Sequence, residues 1–408
     1  MKRVVVTGMG AVTPVGNSVG EFWTSLINGV NGIEEITRFD TTDSKYRFAA
    51  EVKNWDPLAV IDKTTVRKTD LFTQYALCAA QEAVDDSSIL GNVRNDRFGV
   101  YFGSGIGGFM TFCSEHKTFL EQGSRKVSSA FIPKMISNIG AGNIAIRFKA
   151  NGPCIAVTTA CATGTTAIGE AYRTIAHGYA DAIICGGSEA AITPLAVAGF
   201  GNCLALSPAE TRDTASLPFD SRRQGFVMGE GAAALILEEY EHAVSRGAVI
   251  YAEVCGYGST CDAYHVTAPD PEAVSTAKAV SDALEGTEIC DASKIYVNAH
   301  GTGTPMNDKT ETAALKRALG ESAYRIHVSS TKSMTGHMLG AAGAAEAIAA
   351  IKTLLTGTVP PTINLLSPDP ECDLDYTPNT AVKAEIELAV STSLGFGGHN
   401  AAVSFRKV

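Results

Sequence analysis

The alternation of apolar and polar positions divides the chain into strands and helices, and one β-α-β unit is the clearest. Residues 154–159 are β-branched and apolar, which predicts a strand buried on both faces. From Ala167 the apolar residues recur at helical spacing until Gly178, and residues 182–185 form a second apolar run that a glycine pair ends. The pattern therefore predicts strand, tight turn, helix and strand, with Cys161 at the turn.

Further apolar runs predict elements on both sides of this unit. Strands are expected at 2–7, 98–102, 232–237, 294–299, 388–390 and 400–405, and helices at 69–86, 238–246, 271–284 and 308–319. Residues 109–150 mix polar and apolar segments and are expected to form an excursion that caps a pocket or contacts a partner. Residues 199–231 are expected to form a long loop near the functional site.

A second series of elements begins at about residue 249, and part of it repeats the first. The stretch 327–357 has a strand ending in Ser and Thr, a polar turn, an Ala-rich helix and a glycine stop. Such an internal similarity indicates a duplicated βαβ architecture whose two halves meet at their turns. We expect an α/β protein with an N-terminal half over residues 1–248 and a C-terminal half over residues 249–408.

Composition narrows the possible functions. The chain has 408 residues and a net charge of -10, which argues against general nucleic-acid binding because phosphate neutralisation needs a basic surface. Its ten cysteines are scattered without paired spacing, which favours a reducing cytoplasm over a disulfide framework.

The N-terminus and the glycine stretch that follows it bear on targeting and cofactors. MKRVVVTGMGAV breaks at glycine, so it predicts a first strand rather than a signal peptide, and no run of 18 apolar residues predicts a membrane span. GMGAVTPVG lacks the G-x-G-x-x-G spacing, and the sequence has no C-x-x-C pair or His-rich cluster. We expect no membrane association, no dinucleotide cofactor and no metal site.

Cys161 is the candidate nucleophile. A strand-to-helix corner offers unpaired backbone N–H groups and the positive end of a helix dipole, which stabilise an anion and lower a thiol pKa. Small residues on both sides of Cys161 leave room for a substrate to reach the sulfur. The alternative is that Cys161 is a buried small hydrophobe, as most free cysteines are.

Two histidines lie on glycine-flanked turns after predicted strands. His300 is in NAHGTGTP and His337 in STKSMTGHMLGAAG, and loops at strand ends are where α/β enzymes place catalytic groups. Near the C-terminus, the GFGG sequence at 395–398 brings backbone N–H groups close to a ligand, which suits an oxyanion hole. Each feature alone is also explained by a hydrogen-bonded or flexible turn.

Taken together, these motifs resemble the β-ketoacyl-[acyl carrier protein] synthases, most closely the type II condensing enzymes of bacterial fatty-acid synthesis. The resemblance runs from VVVTGMGAVTPVG to the last strand and rests on TTACATG, NAHGTGTP, STKSMTGHMLGAAG and GFGGHN. It implies the thiolase fold, in which two βαβαβαββ halves form a five-layered α-β-α-β-α sandwich. It also implies a homodimer.

The resemblance implies a Cys-His-His enzyme that uses no cofactor. Cys161 takes an acyl chain from acyl carrier protein as a thioester, and the N–H groups of Cys161 and Phe396 hold its oxyanion. His300 and His337 hydrogen-bond the thioester carbonyl of malonyl-carrier protein and stabilise the enolate left by decarboxylation. The carbanion then attacks the acyl-cysteine and gives a β-ketoacyl product.

Further residues match positions that have roles in the family. Lys332 and Glu346 match a catalytic lysine and its glutamate partner, and Phe396 also matches a gate for the malonyl group. The substrate-binding positions are matched by Ile106, at the acyl pocket, by Thr302 and Thr304, at the pantetheine arm, and by Thr267, Gly395 and Gly397. Asp308 and Glu311 match acidic residues that shape the site, whereas His399 replaces the usual threonine after GFGG.

Acyl carrier protein is acidic, so its docking surface should be basic although the whole chain is negative. The residues at the family's docking positions are Lys63, Arg67, Lys68, Arg125 and Lys126. Ordinary solvated surface charge is the other interpretation of these five. Two other functions stay open, namely a polyketide ketosynthase and a non-catalytic partner of the chain-length-factor kind, which would have lost the nucleophile.

Overall fold

The computed structural model describes residues 1–287 and 291–408. Its strands are β1 (Val4–Val12), β2 (Glu34–Glu35), β3 (Phe48–Ala49), β4 (Phe98–Gly103), β5 (Cys154–Ile155), β6 (Ala182–Glu189), β7 (Gly231–Glu239), β8 (Ala252–Cys261), β9 (Ile295–Asn298), β10 (His327–Ser329), β11 (Thr358–Val359), β12 (Val382–Lys383), β13 (Leu388–Gly395) and β14 (His399–Arg406). Its α-helices are α1 (Val19–Ile27), α2 (Lys63–Lys68), α3 (Leu71–Ser87), α4 (Phe109–Gln122), α5 (Phe131–Met135), α6 (Ile139–Phe148), α7 (Thr163–Ala176), α8 (Pro194–Asn202), α9 (Tyr240–Ser245), α10 (Val274–Ala283), α11 (Pro305–Leu319), α12 (Lys332–Thr335) and α13 (Ala342–Thr356).

The main sheet consists of two halves with the same topology. Over the described residues its order is β10-β9-β13-β14-β8-β1-β7-β6-β4-β5, with β1 and β8 paired antiparallel at the centre. From the centre outward, the N-terminal half has the order β1, β7, β6, β4, β5, and the C-terminal half has the order β8, β14, β13, β9, β10. In each half, the five strands of the main sheet, numbered along the chain, therefore have the order first, fifth, fourth, second, third. The duplicated architecture expected from the sequence is confirmed.

Helices separate and cover the two half-sheets. α7 and α13 pack against each other between the halves, where Ile168, Ile175 and Ile348 are fully buried in one apolar cluster. α3 and α6 cover the outer face of the N-terminal half, and α10, backed by α11, covers the outer face of the C-terminal half. The result is the α-β-α-β-α sandwich of the thiolase fold.

Two strands are longer than predicted because they continue through glycines. β1 includes Gly8 and Gly10, where an added Cβ would lie 2.2 Å and 2.0 Å from carbonyl oxygens of α3. β6 continues through Gly186 and Gly187, where an added Cβ would lie 2.1 Å from a carbonyl oxygen in each case. These glycines are positions of close backbone approach rather than ends of strands.

The strand predicted at 154–159 is wrong in both length and burial. β5 is only Cys154–Ile155, and both residues are exposed because β5 is the edge strand and pairs only with β4. Its apolar sequence therefore faces solvent in the single chain. The following residues leave the sheet to approach the Cys161 turn.

The helices agree with prediction to within a few residues. The excursion at 109–150 forms α4, α5 and α6, and the stretch 199–231 begins with the end of α8 and continues largely as loop. The segment Leu339–Thr356 has the length and mean hydropathy, 1.3, of a membrane span, but 83% of it is buried between the half-sheets. Its apolar composition is that of a core helix.

Candidate active site

Cys161 lies in a short helical turn, Ala160–Ala162, that leads directly into α7. Ala160 has a positive φ of 50°, so the chain turns sharply at this point. The Thr163 hydroxyl donates to the Ala160 carbonyl at 2.7 Å and accepts from the Thr159 N–H at 3.0 Å. These bonds hold the corner that presents the sulfur.

The pKa of Cys161 departs from the sequence prediction. Burial raises the pKa of the thiol to about 12, although Lys332 and the backbone N–H of Phe396 lower it, and the Glu189 carboxylate raises it further. Backbone N–H groups at the corner do lower the pKa, as expected at a helix start, but desolvation of the sulfur raises it by more. The resting thiol is therefore protonated.

The GFGG segment forms the tight end of the β13–β14 hairpin beside the thiol. The strands are longer than predicted, because Gly395 pairs with His399 and only three residues make the turn. A Cβ added to Gly395 would lie 2.6 Å from the Thr159 carbonyl and 3.3 Å from the Cys161 nitrogen. Gly397 has a φ of 89°, a conformation that favours glycine. The hairpin thus places a backbone N–H at the sulfur.

His300 follows β9 and is held by a buried carboxylate. Glu311 accepts from the backbone N–H groups of His300 and Gly301, both at 2.7 Å, and from the Thr392 hydroxyl at 2.7 Å. Asp308 accepts from the N–H of Gly303 at 3.2 Å in the same turn. The two acidic side chains therefore fix the backbone around His300.

His337 is positioned by a neighbouring loop and by its own turn. Its backbone N–H donates to the Val227 carbonyl at 2.7 Å, and its carbonyl accepts from the Gly229 N–H at 2.8 Å. The Leu339 N–H donates to the imidazole Nδ1 at 3.2 Å. A neutral His337 therefore carries its hydrogen on Nε2, where it is available as a donor.

The two imidazoles meet edge to face. Their ring centroids are 5.2 Å apart with planes at 83°, and the Phe226 ring lies 5.1 Å from His337. Burial, and then the Lys332 charge, lower the pKa of both histidines well below the ordinary value of 6.5. Both rings are neutral at physiological pH.

Lys332 and Glu346 form a buried ion pair, with side chains 1% and 3% exposed. Burial raises the pKa of Glu346, although Lys332 lowers it. The second carboxylate oxygen of Glu346 is buried and has no hydrogen-bond partner among the described residues. Neither side chain lines the cavity, and the Lys332 charge lowers the pKa of Cys161, His300 and His337.

A cavity of about 410 Å³ brings the predicted residues together. Among its walls are Cys161, His300, His337, Phe396, Thr267, Thr302, Thr304 and Gly395. Two other predicted substrate-binding residues, Gly397 and Ile106, do not line this cavity. Gly397 is exposed on the hairpin, and Ile106 packs in an apolar cluster with Phe109, Phe200 and Cys161.

The predicted docking residues are exposed and form two groups. Lys63, Arg67 and Lys68 are on α2, and Arg125 and Lys126 follow α4. Asp70, just after α2, accepts from Thr111 at the beginning of α4. Arg125 and Lys126 follow the other end of α4, about 20 Å from its start along the helix axis for 14 residues.

Sequence reasoning missed Glu189 and Phe226. Phe226 lines the cavity beside His337, and Glu189 is fully buried near Cys161. Glu189 ends an apolar strand, and a charged residue there is a signal of buried hydrogen bonding. The His399 side chain does not line the cavity and lies next to Gly397.

The parts of the chain that the structure describes hold no candidate metal centre. There, no group of three or more His, Cys, Asp or Glu side chains is arranged to hold a metal ion. Nine cysteines in the described ranges are free, and two of them, Cys161 and Cys203, line the cavity.

Comparison with known protein families identifies the chain. Residues 1–243 match the beta-ketoacyl synthase N-terminal domain, and residues 251–366 match the C-terminal domain of the same family. The chain belongs to the beta-ketoacyl synthase family. The family and the thiolase fold predicted from the motifs are confirmed.

Individual relatives cover the whole chain. A 3-oxoacyl-[acyl-carrier-protein] synthase 2 from Synechocystis sp. is 49% identical over 408 residues, covering 100% of this chain and 98% of the relative. The protein of the same name from Staphylococcus aureus strain N315 is 49% identical over 407 residues, with the same coverage.

Solved ketosynthase structures are also similar. A beta-ketoacyl synthase from Burkholderia phymatum STM815 has a TM-score of 0.90 and 37% identity, with 100% of both chains covered. A type II polyketide ketosynthase, solved with its acyl-carrier protein and bound to the hexaketide, has a TM-score of 0.90 and 34% identity, with 100% of this chain and 99% of that chain covered.

Proposed function

We propose that this beta-ketoacyl synthase condenses an acyl group from acyl carrier protein with malonyl-carrier protein, giving 3-oxoacyl-carrier protein and carbon dioxide. The observation that carries the proposal is one cavity whose walls include the Cys161 thiol at the start of α7, two neutral imidazoles and residues of the GFGG hairpin. Thiol chemistry and enolate stabilisation need these groups and no external electron carrier.

In the first step, Cys161 attacks the thioester carbonyl of acyl-carrier protein. The backbone N–H groups of Cys161 and Phe396 lower the pKa of the thiol and are proposed to donate to the oxyanion that forms beside the sulfur. The new C–S bond to Cys161 replaces the bond to the carrier, and the proton of the thiol ends on the departing carrier thiol. Lys332 favours the transient thiolate by its charge.

In the second step, malonyl-carrier protein binds in the same cavity. Loss of carbon dioxide leaves an enolate, whose oxygen accepts hydrogen bonds from His300 and His337. A neutral imidazole keeps one N–H, and in His337 this hydrogen is on Nε2 because Nδ1 accepts from the Leu339 N–H, so the ring can donate to the enolate oxygen. The enolate carbon attacks the acyl-cysteine, the C–S bond breaks, and the thiolate takes up a proton to restore Cys161.

Fatty-acid elongation is favoured over a polyketide pathway. The curated relatives at 49% identity are 3-oxoacyl-[acyl-carrier-protein] synthases, whereas the polyketide ketosynthase structure is 34% identical. A chain-length-factor role is disfavoured because Cys161 is present in the cavity. We also propose a cytoplasmic enzyme whose halves divide between residues 248 and 249, in the link from α9 to β8.

The test uses a panel of acyl-carrier thioesters and malonyl-carrier protein. We expect a mass increase on Cys161 equal to one acyl group, release of carbon dioxide and a 3-oxoacyl product. Cys161→Ala should abolish acylation, whereas Cys113→Ala, which removes a half-buried thiol outside the cavity, should retain it. Acylation of the Cys161→Ala protein at an unchanged rate would refute the proposal.

The second step is tested with His337→Ala. We expect carbon dioxide release from malonyl-carrier protein to fall about 10²–10³-fold, as for the loss of one oxyanion donor. Acylation of Cys161 should fall much less, since His337 acts on the enolate. Equal losses in both steps would contradict the division of roles.

Acyl carrier protein is proposed to bind the exposed cations. A ketosynthase of similar structure was solved with its acyl-carrier protein. The double variant Arg125→Glu and Lys126→Glu should raise the KM for acyl-carrier protein at low salt, and the difference should shrink at high salt. Lys407→Glu, a charge reversal at the exposed C-terminus, is the control. Equal KM values for both variants would place docking elsewhere.

A homodimer is proposed through the edge strand β5. Its backbone is paired on one side only, Ile155 is 47% exposed, and Ile146 on the adjacent α6 is 78% exposed. An unpaired edge with exposed apolar side chains is suited to pairing with another chain. Ile155→Lys should convert the dimer to monomer in light scattering after size exclusion, and a monomeric wild type would exclude the dimer.

A further inference from the structure

Glu189 is a buried carboxylate with an unusual set of partners. It is the last residue of β6 and is fully buried. One oxygen accepts from the Ser104 hydroxyl at 2.8 Å and the Ile106 N–H at 3.2 Å. The other accepts from the N–H groups of Gly105 at 2.9 Å and Gly340 at 3.0 Å. Four donors fill the acceptor sites of one ionised carboxylate.

These partners come from both halves of the molecule. Ser104, Gly105 and Ile106 follow β4 in the N-terminal half, and Gly340 is in the C-terminal half, three residues after His337. Leu339, which precedes Gly340, has a positive φ of 47° and donates its N–H to the His337 imidazole. The bond to Glu189 therefore holds the turn that orients His337.

Glu189 also acts on the nucleophile by its charge. Its carboxylate opposes Lys332 at Cys161, since the anion disfavours the thiolate and the cation favours it. All four of its hydrogen-bond donors are neutral groups, so its negative charge is not cancelled by a direct ion pair. One side chain thus affects both the orientation of His337 and the pKa of Cys161.

We propose that Glu189 is a positioning residue that ties the 104–106 loop to the turn carrying His337 and so fixes the imidazole against the acyl-cysteine. The inference rests on the proposed condensation and adds a residue to it. A glutamine at this position would accept with one oxygen only, and its amide group cannot accept from an N–H. One of the two donor pairs would lose its partner.

The test separates the two functions of the side chain. In Glu189→Gln, carbon dioxide release from malonyl-carrier protein should fall at least about tenfold, because the His337 turn shifts. Alkylation of Cys161 by iodoacetamide at pH 8, followed on its peptide by mass spectrometry, should become about three- to tenfold faster, because the opposing charge is gone. General destabilisation of the fold would instead slow both the acylation of Cys161 and the decarboxylation, and it would lower the melting temperature.

Glu189→Asp and Glu82→Gln complete the design. Glu189→Asp keeps the charge but cannot span both loops, so decarboxylation should fall while alkylation stays at the wild-type rate. Glu82 lies away from the cavity and accepts hydrogen bonds from the backbone N–H groups of Ala11 and Val19. As a control, Glu82→Gln should change neither the decarboxylation rate nor the alkylation rate by more than about twofold.

Decarboxylation within about twofold of wild type in Glu189→Gln would overturn the inference, and so would slower alkylation. Should Glu189→Gln fail to fold, unchanged decarboxylation in Glu189→Asp would overturn it equally. The alkylation readout does not depend on turnover. A wild type without condensing activity would therefore reject the proposed function and still allow the charge effect of Glu189 to be measured.

Discussion

Replacing Lys332 by methionine removes the positive partner of a carboxylate that is itself only 3% exposed. The methionine has a similar length and fills the space, so the main change is an uncompensated charge at Glu346. Breaking a buried ion pair by removing one partner destabilises a protein by about 3–5 kcal/mol. For 408 residues the entropy of unfolding is about 0.9 kcal/mol/K, so the melting temperature should fall by about 4–6 °C.

The loss should depend on pH in a defined direction. Burial already raises the pKa of Glu346 in the wild type, and without Lys332 this pKa rises further. The folded variant then binds a proton more readily than the unfolded chain. Its stability should therefore increase as the pH falls through the raised folded pKa, and decrease as the pH rises through it.

Calorimetry of the wild type, Lys332→Met and a double variant from about pH 5 to pH 8 measures this loss of stability. The double variant Lys332→Met and Glu346→Leu removes both charges and should recover most of the stability. Recovery of stability without recovery of condensation would separate the structural role of the pair from its electrostatic role. A wild-type melting temperature for Lys332→Met at pH 8, or a double variant no more stable than the single one, would show that the Lys332 charge does not stabilise Glu346 in the fold.

Three shorter predictions concern the thiol and the glycines. Alkylation of Cys161 should accelerate about tenfold per pH unit between about pH 7 and pH 9, because burial raises the pKa of the thiol to about 12 and the thiolate is the nucleophile; a plateau below pH 8 would contradict this. Gly187→Ala should destabilise the protein by at least about 1–3 kcal/mol in denaturant unfolding, since its Cβ would lie 2.1 Å from the Gly340 carbonyl. Gly142→Ala, in α6 with no atom within 4 Å, should instead be neutral or stabilise by up to about 1 kcal/mol, and a loss as large as that of Gly187→Ala would remove the steric explanation.

Much of the fold could be predicted because the spacing of apolar residues and the positions of turn residues depend directly on local structure. The helix after Cys161 has its apolar positions in register and a glycine stop, and α7 ends two residues before Gly178. The similarity of the 327–357 stretch to the Cys161 unit indicated duplication before any strand order was known. Both histidines and the thiol were predicted from turns at strand ends, where side chains from different halves converge.

Other features depend on contacts that a sequence pattern does not contain. Glycines looked like strand ends, but in β1 and β6 they mark close approach of α3 and of the Gly340 turn. The apolar residues of β5 looked buried, because a pattern does not distinguish an edge strand from a central one. A helix start predicted a low thiol pKa, but the depth of burial of Cys161 reverses the direction.

The turn before α13 matches the turn before α7, with Gly340 at the place that Cys161 occupies and a left-handed residue preceding each. A Cβ on Gly340 would lie only 2.4 Å from the Gly105 nitrogen, so no side chain fits there. The internal repeat therefore duplicates the turn but not the thiol. One copy of the corner presents the Cys161 thiol, whereas the other is bare backbone packed against Gly105. In the proposed condensation, each chain therefore holds one acyl group at a time at this corner.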